Sequence, residues 1–286
     1  MTTAFIFPGQ GSQSVGMGKS LAEQFTAARA VFDEVDAALA QKLSVLMFEG
    51  PSDELTMTAN AQPALMAASL AVVRVLEAEA GLSLGRDAAF VAGHSLGEYS
   101  ALAAAGSVSI ADAARLLRIR GDAMQKAVPA GAGAMAALLG AELELAQEIA
   151  RDAAQGEVCE AANDNGGGQV VLSGAKAAID RAIVLAGERG VRRAMLLPVS
   201  APFHCALMQP AAEAMRAALA QVTLQAPVVP VMANVGAAPL SDPDAIRASL
   251  VAQVTGTVRW RECVLAMAAA GVTDYVELGS GKVLAG

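Results

Sequence analysis

Only two histidines, His94 and His204, occur among the 286 residues. Any imidazole chemistry must use one of them, and a polyhistidine metal site is excluded. His94 lies inside Gly93-His94-Ser95-Leu96-Gly97, a GxSxG sequence. In that pattern a strand turns sharply into a helix, the flanking glycines relieve crowding, and the serine is presented at the helix N-terminus. The N–H groups there are placed to stabilise a developing oxyanion. The plainer alternative is a glycine-rich turn whose serine caps the helix. A serine nucleophile needs a base. Neighbouring side chains in such a turn diverge, which disfavours His94. His204 sits in Val199-Ser200-Ala201-Pro202-Phe203-His204-Cys205, where a strand ends and a helix begins. Open α/β sheets gather ligands at such strand ends. His204 is therefore preferred as the base over a helix-start histidine in ordinary hydrogen bonding.

Arg120 poses a separate question. At about 100° per residue along a helix from Ala113, one face collects Leu116, Leu117, Ala123, Met124 and Ala127. Arg115, Arg118, Asp122 and Lys126 fall opposite, and Arg115 and Arg118 read as solvated surface charges. Arg120 falls in the middle of the apolar face. A guanidinium directed inward is costly unless an anion meets it. That anion is either an internal carboxylate or a bound acidic ligand. The loop Gly9-Gln10-Gly11-Ser12-Gln13 is either a simple turn or part of the sheet's carboxyl edge. Asn163–Gly168 reads as a hairpin turn. Neither carries a phosphate-loop or dinucleotide pattern.

The elements that must position these residues alternate. Ala4–Phe7 reads as a buried parallel strand, followed by a helix near Gly18–Ala30 and a core helix over Asn60–Ala80. Asp87–Ala92 reads as the strand before Ser95, with helices over Ser95–Ala105 and Ile110–Ala127. Such alternation implies a mostly parallel sheet covered on both faces. The rhythm changes near Pro129. Strand Gly133–Gly140, helix Leu143–Ala153, strands Glu157–Asn163 and Gln169–Ser173, helix Lys176–Glu188 and strand Arg193–Val199 follow. That β-α-β-β-α-β order is a split βαβ, ferredoxin-like unit. The expectation is a large α/β domain from 1–128 and 199–286, with a ferredoxin-like subdomain inserted at 129–198. The return carries a helix over Ala206–Ala220, strand Val228–Asn234, helices Asp244–Gln253 and Val258–Ala270, and strand Thr273–Leu278.

Hydrophobic residues make up 55% and charged residues 17% of the chain, ample for a large core. Net charge is −8, which excludes a basic nucleic-acid footprint. The uncharged stretch Ala217–Ser241 is interrupted by Pro227, Pro230 and Pro239, and Ala64–Leu76 by Arg74, so no membrane span is expected. No signal-peptide pattern opens the chain. Three cysteines, Cys159, Cys205 and Cys263, without CxxC spacing are expected as reduced thiols. The location expected is cytoplasmic.

Phe7-Pro8-Gly9-Gln10-Gly11-Ser12-Gln13, Gly93-His94-Ser95-Leu96-Gly97-Glu98-Tyr99, Arg120-Gly121, Gln169-Val170-Val171 and Pro198–His204 together resemble the malonyl-CoA:acyl carrier protein transacylase family, in order and in spacing. The resemblance implies an α/β-hydrolase-like catalytic domain and a two-step acyl transfer. Ser95 would take the malonyl group from malonyl-CoA with His204 as base, then pass it to the phosphopantetheine thiol of acyl carrier protein. It also implies an oxyanion hole from the N–H groups of Gln10 and Leu96, and pairing of Arg120 with the malonyl carboxylate. The Gln253 carbonyl would orient His204, although Gln253-Val254-Thr255-Gly256-Thr257-Val258-Arg259-Trp260 lacks the proline common in this stretch. Phe203 resembles the residue of malonyl-selective relatives. No cofactor or metal, a monomeric state, and a further helix-sized segment beyond Gly286 are implied too. Because carrier proteins are acidic, Lys176, Arg181, Arg189, Arg192 and Arg193 are expected to form a docking patch. Rival readings of the same residues are a serine ester hydrolase and a catalytically silent carrier-binding relative.

Overall fold

Ala4, Phe5, Ile6 and Phe7 are all buried, as a strand covered on both faces requires. The computed structural model describes residues 2–199 and 201–285; Ser200 of the histidine motif lies outside them. β1 (Thr3–Phe7) leads to α1 (Lys19–Gln24), α2 (Thr26–Leu39), α3 (Leu43–Glu49), α4 (Ser52–Thr56), α5 (Thr58–Ala80) and α6 (Leu84–Asp87). Then come β2 (Phe90–Gly93), α7 (Gly97–Ala104) and α8 (Ile110–Lys126). The middle of the chain is β3 (Gly133–Leu139), α9 (Leu143–Ala154), β4 (Cys159–Gly166), β5 (Gln169–Ala175), α10 (Lys176–Glu188) and β6 (Arg193–Leu196). A 3₁₀ turn at Ala206–Met208 precedes α11 (Gln209–Leu219), β7 (Val231–Ala233), β8 (Ala238–Leu240), α12 (Pro243–Gln253), α13 (Trp260–Ala269) and β9 (Asp274–Glu277).

These strands form two sheets in a mixed α/β fold. The first has the order β8-β7-β2-β1-β9, parallel except for β8 at one edge. The second, β4-β5-β3-β6, is antiparallel throughout. Each has its own core. Phe7, Leu65, Leu70, Leu102 and Leu117 belong to the core of the first, and Leu138, Ile149, Leu172 and Ile179 to that of the second. Among the described residues one helix, α5, is long and apolar enough to cross a membrane, and 72% of its most apolar window is buried inside the protein. The smaller sheet meets the segment that leads into α13 along a short seam at β4. Asp164 N–H donates to the Val258 carbonyl at 2.9 Å, and Val258 N–H to the Ala162 carbonyl at 2.8 Å. Arg261 Nε donates to the buried Asp164 carboxylate at 2.9 Å.

Several boundaries differ from expectation for local reasons. The helix expected over Gly18–Ala30 is two, because Phe25 is extended at φ −125° between α1 and α2. The strand expected from Asp87 starts at Phe90: the Asp87 carboxylate accepts from Ser83 N–H and closes the helical turn α6. The strand expected over Val228–Asn234 shrinks to Val231–Ala233, since Pro230 cannot donate to a ladder. The last strand of the middle unit stops at Leu196 ahead of Pro198. Edge strand β8 has only three residues, one of them Pro239, and is too short to carry a periodic signal. Arg118 is partly buried rather than freely solvated. It donates to Asn60 Oδ1 at 2.9 Å and Gln41 Oε1 at 2.6 Å, because α8 lies against α2 and α5 there.

Candidate active site

Ser95 occupies the turn between β2 and α7 with φ +54°, a conformation costly for a side chain with Cβ. The glycines around it permit the turn to pack. A Cβ on Gly97 would stand 2.3 Å from the Phe7 carbonyl oxygen, and one on Gly93 would stand 1.9 Å from the Gly97 carbonyl. The Ser95 backbone is held on both sides. Its N–H donates to Asn234 Oδ1 at 2.7 Å, and its carbonyl accepts from Gln253 Nε2 at 3.0 Å.

The Ser95 hydroxyl lies 2.8 Å from His204 Nε2. His204 Nδ1 lies 2.9 Å from the Gln253 backbone carbonyl. A carbonyl only accepts, so Nδ1 carries the proton and Nε2 presents its lone pair to the hydroxyl. His204 also has positive φ, +57°, and is buried. Burial, and then the Arg120 charge, push its pKa down to about 3. The imidazole is thus neutral, the form that accepts a proton. His94 is committed elsewhere: its Nε2 meets Asn165 Oδ1 at 2.9 Å and its ring lies 5.8 Å from that of Trp260.

Arg120 is 1% exposed. Its Nη2 donates to Ser95 Oγ at 3.0 Å and to Gln253 Oε1 at 2.9 Å, and its Nη1 to Gln62 Oε1 at 2.8 Å. Its guanidinium carbon lies 5.8 Å from the Tyr99 ring centre. Among the described residues no carboxylate bonds to it, and its Nε–H is buried without an acceptor. The internal carboxylate left open by the sequence is therefore not in direct contact, and the guanidinium that meets the nucleophile through Nη2 has no carboxylate partner.

Glu98, on the first turn of α7, is 2% exposed. It accepts from Asn234 N–H at 3.0 Å and Gln253 Nε2 at 2.8 Å. Burial raises its pKa to about 7 against those two hydrogen bonds and the Arg120 charge. Sequence reasoning assigned no role to Glu98, Asn234 or Gln62. A charged residue on the otherwise apolar helix Gly97–Ala104 was the available signal for the first of these.

A cavity of about 410 Å³ opens onto Ser95, His204 and Arg120, closed by Gln10, Leu96 and Gln62 below and by Met135, Leu197 and Phe203 from the other side. It lies between the two sheets. Neither the Gln10 nor the Leu96 N–H has an acceptor among the described residues. The Gln10 side chain accepts from the Thr58 hydroxyl at 2.8 Å. A second, more polar recess of about 580 Å³ adjoins it, lined by His94, Asn163, Asn165, Arg192 and Trp260. Of the five basic residues expected to cluster, Lys176, Arg181 and Arg189 pair with Asp180, Glu157 and Asp152. Arg192 and Arg193 are exposed and have no ion partner among the described residues. No group of three His, Cys, Asp or Glu side chains among the described residues is placed to hold a metal.

Chemically, this is a serine beside a neutral imidazole, two free backbone donors and a buried cation. Such a set takes up an acyl group that carries its own negative charge. Comparison with known proteins points the same way. An acyl transferase domain model matches residues 4–284. The malonyl CoA-acyl carrier protein transacylase of Bacillus subtilis is 46% identical over 284 residues, covering 99% of this chain and 88% of that protein. The crystal structure of an acyl-carrier-protein-S-malonyltransferase from Bartonella henselae is 59% identical with a TM-score of 0.98, covering 100% of this chain and 90% of that one. A malonyl-transacylase solved in complex with a type II polyketide acyl-carrier protein is 41% identical with a TM-score of 0.96, covering 100% of this chain and 91% of that one. With a match that runs from the first strand to past the last, the chain belongs to the acyl transferase family, in its malonyl-CoA:acyl carrier protein transacylase branch.

Proposed function

We propose that this chain transfers the malonyl group of malonyl-CoA to the phosphopantetheine thiol of acyl carrier protein, supplying extender units for fatty-acid synthesis. The observation that carries this reading is the buried guanidinium of Arg120, which has no carboxylate partner among the described residues and whose Nη2 stands 3.0 Å from the Ser95 hydroxyl. An acyl group on that oxygen meets a guanidinium within a few atoms, and a short diacid supplies the missing anion.

In the first half-reaction the Ser95 proton passes to His204 Nε2 as Oγ attacks the thioester carbonyl. The oxyanion is received by the N–H groups of Gln10 and Leu96; loss of one such donor typically costs about 100–1,000-fold. Collapse expels the CoA thiolate, which takes the proton from His204. The malonyl-Ser95 ester keeps its carboxylate on Arg120. The carrier's thiol then gives its proton to His204, attacks the ester, and releases Ser95 as Oγ regains the proton. Gln253 orients His204 through its carbonyl, so no carboxylate is needed behind the imidazole.

The reading takes residues 1–128 and 199–286 as an α/β-hydrolase-like catalytic domain and 129–198 as a ferredoxin-like insertion. The β-α-β-β-α-β order and the separate small core support that division. It assigns a cytoplasmic monomer that needs no resident cofactor or metal and binds neither nucleic acid nor membrane; the net charge of −8 and the burial of α5 support the last two points. Acyl carrier protein docks on Arg192 and Arg193, the members of the basic set left without acidic partners. Mixing the protein with malonyl-CoA and carrier protein, then weighing the carrier, tests the whole reading. A malonyl adduct on the carrier is expected. Free malonate with an unmodified carrier would mean a hydrolase, and no acyl-Ser95 at all a silent binder.

A further inference from the structure

Glu98 is buried, acidic and untouched by the steps above, yet the two residues it bonds, Asn234 and Gln253, reach Ser95, Arg120 and His204. One oxygen, Oε2, accepts from both Asn234 N–H and Gln253 Nε2. Asn234 in turn accepts from Ser95 N–H at 2.7 Å and donates to the Gly93 carbonyl at 2.8 Å, bracing both ends of the strained turn. Gln253 donates to the Ser95 carbonyl, accepts from Arg120 through Oε1, and holds His204 through its main chain. An ionised carboxylate only accepts, so it dictates that Gln253 turns Nε2 inward and Oε1 toward Arg120. The Ser95 carbonyl reinforces the same orientation. The carboxylate also sits in the first turn of α7, where the helix dipole favours a negative charge.

We propose that Glu98 is a positioning residue that fixes Ser95 and Arg120 through Asn234 and Gln253, holding the nucleophile and the acid-binding cation in register. This rests on the transacylase reading for the part played by Arg120, but not for the part played by Ser95. Replacing Glu98 with methionine keeps the length of the side chain and removes the oxygen that Asn234 N–H and Gln253 Nε2 share. Both donors then lose their acceptor, and the unpaired buried groups displace the turn.

The test uses two readouts on the intact chain. A fluorophosphonate esterifies an activated serine with loss of fluoride and needs no malonyl group, so its labelling rate reports Ser95 alone. Competition between malonyl-CoA and acetyl-CoA for transfer to carrier protein reports Arg120. For Glu98→Met we expect labelling slowed about 10- to 100-fold, since displacements near 1 Å cost that much, and a reduced preference for malonyl. In an Arg120→Ala background Glu98→Met should slow labelling and leave the preference where Arg120→Ala put it. A folded Glu98→Met protein that labels at the parent rate, or that keeps the parent preference, overturns the proposal. Where Glu98→Met does not fold, Glu98→Asp, which keeps the charge but draws it back one methylene, must show the same two losses. Failure of both variants to fold would make Glu98 a folding element and overturn the proposal as well. If the parent protein transfers no malonyl, the transacylase reading falls and labelling alone decides for Glu98.

Discussion

A buried guanidinium without a carboxylate partner, its Nη2 3.0 Å from a serine hydroxyl, is a device for choosing among acyl groups. Removing it should change the choice more than the chemistry. Arg120→Ala is expected to lower kcat/KM for malonyl-CoA by about 100-fold, the worth of a charge-assisted pair, while acetyl-CoA becomes a competitive donor. Unchanged donor preference in a competition assay would remove Arg120 from that role. The same substitution acts on the base. His204 is held down to about 3 by burial first and by the Arg120 charge second, and it works as a base only when neutral. In the parent protein His204 by itself therefore leaves fluorophosphonate labelling of Ser95 level down to about pH 5, and a fall that begins near pH 7 belongs to protonation of Glu98. Without Arg120 the imidazole binds its proton more readily, so the acid limb moves to higher pH. A limb that stays in place or moves down contradicts the assigned coupling. Much of this residue pattern was legible in the sequence. Two histidines left a simple choice of base, and one arginine on an apolar face announced a missing anion. Asn234 and Gln62 were not legible, since a neutral amide reveals its importance only when its partners, distant along the chain, are in place.

At the scale of elements, α8 carries Arg120 and must lie close to α5, which carries Gln62. Gly121 makes that approach possible: a Cβ there would stand 2.6 Å from Ala59 Cα and 2.8 Å from the Thr58 carbonyl oxygen. Gly121→Ala forces the two helices apart where the guanidinium enters the cavity. Overpacking of this kind costs about 1–3 kcal/mol. We expect a melting temperature lower by about 2–10 °C and a raised KM for malonyl-CoA. A variant with both values unchanged would show that the helices separate freely. The long elements were readable because their periodicity is unbroken: α8 and α10 start where their patterns start. Short elements were not. Three-residue β7 and β8, and the break at Phe25, are set by prolines, edges and packing against distant parts of the chain.

For the whole molecule, Arg192 lines the polar recess beside the active-site cavity, and Arg193 follows it at the start of β6. Charge reversal of Arg192 and Arg193 together should raise KM for carrier protein by about 10-fold, leave KM for malonyl-CoA within about twofold, and make binding less sensitive to salt. Equal effects on both substrates would place the carrier elsewhere. The sheets also differ in how far along the chain their partners lie. All four strands of the smaller sheet come from residues 133–196, whereas β1 pairs with β9 and the Thr2–Thr273 hydrogen bond spans 271 positions. During synthesis the smaller sheet is complete while β1, an inner strand of the larger one, still waits for its neighbour β9. Contacts that close so large a loop form late and slowly. The apolar β1 must therefore remain unpaired on one side until Asp274–Glu277 have been made, which leaves its edge dependent on protection while folding proceeds.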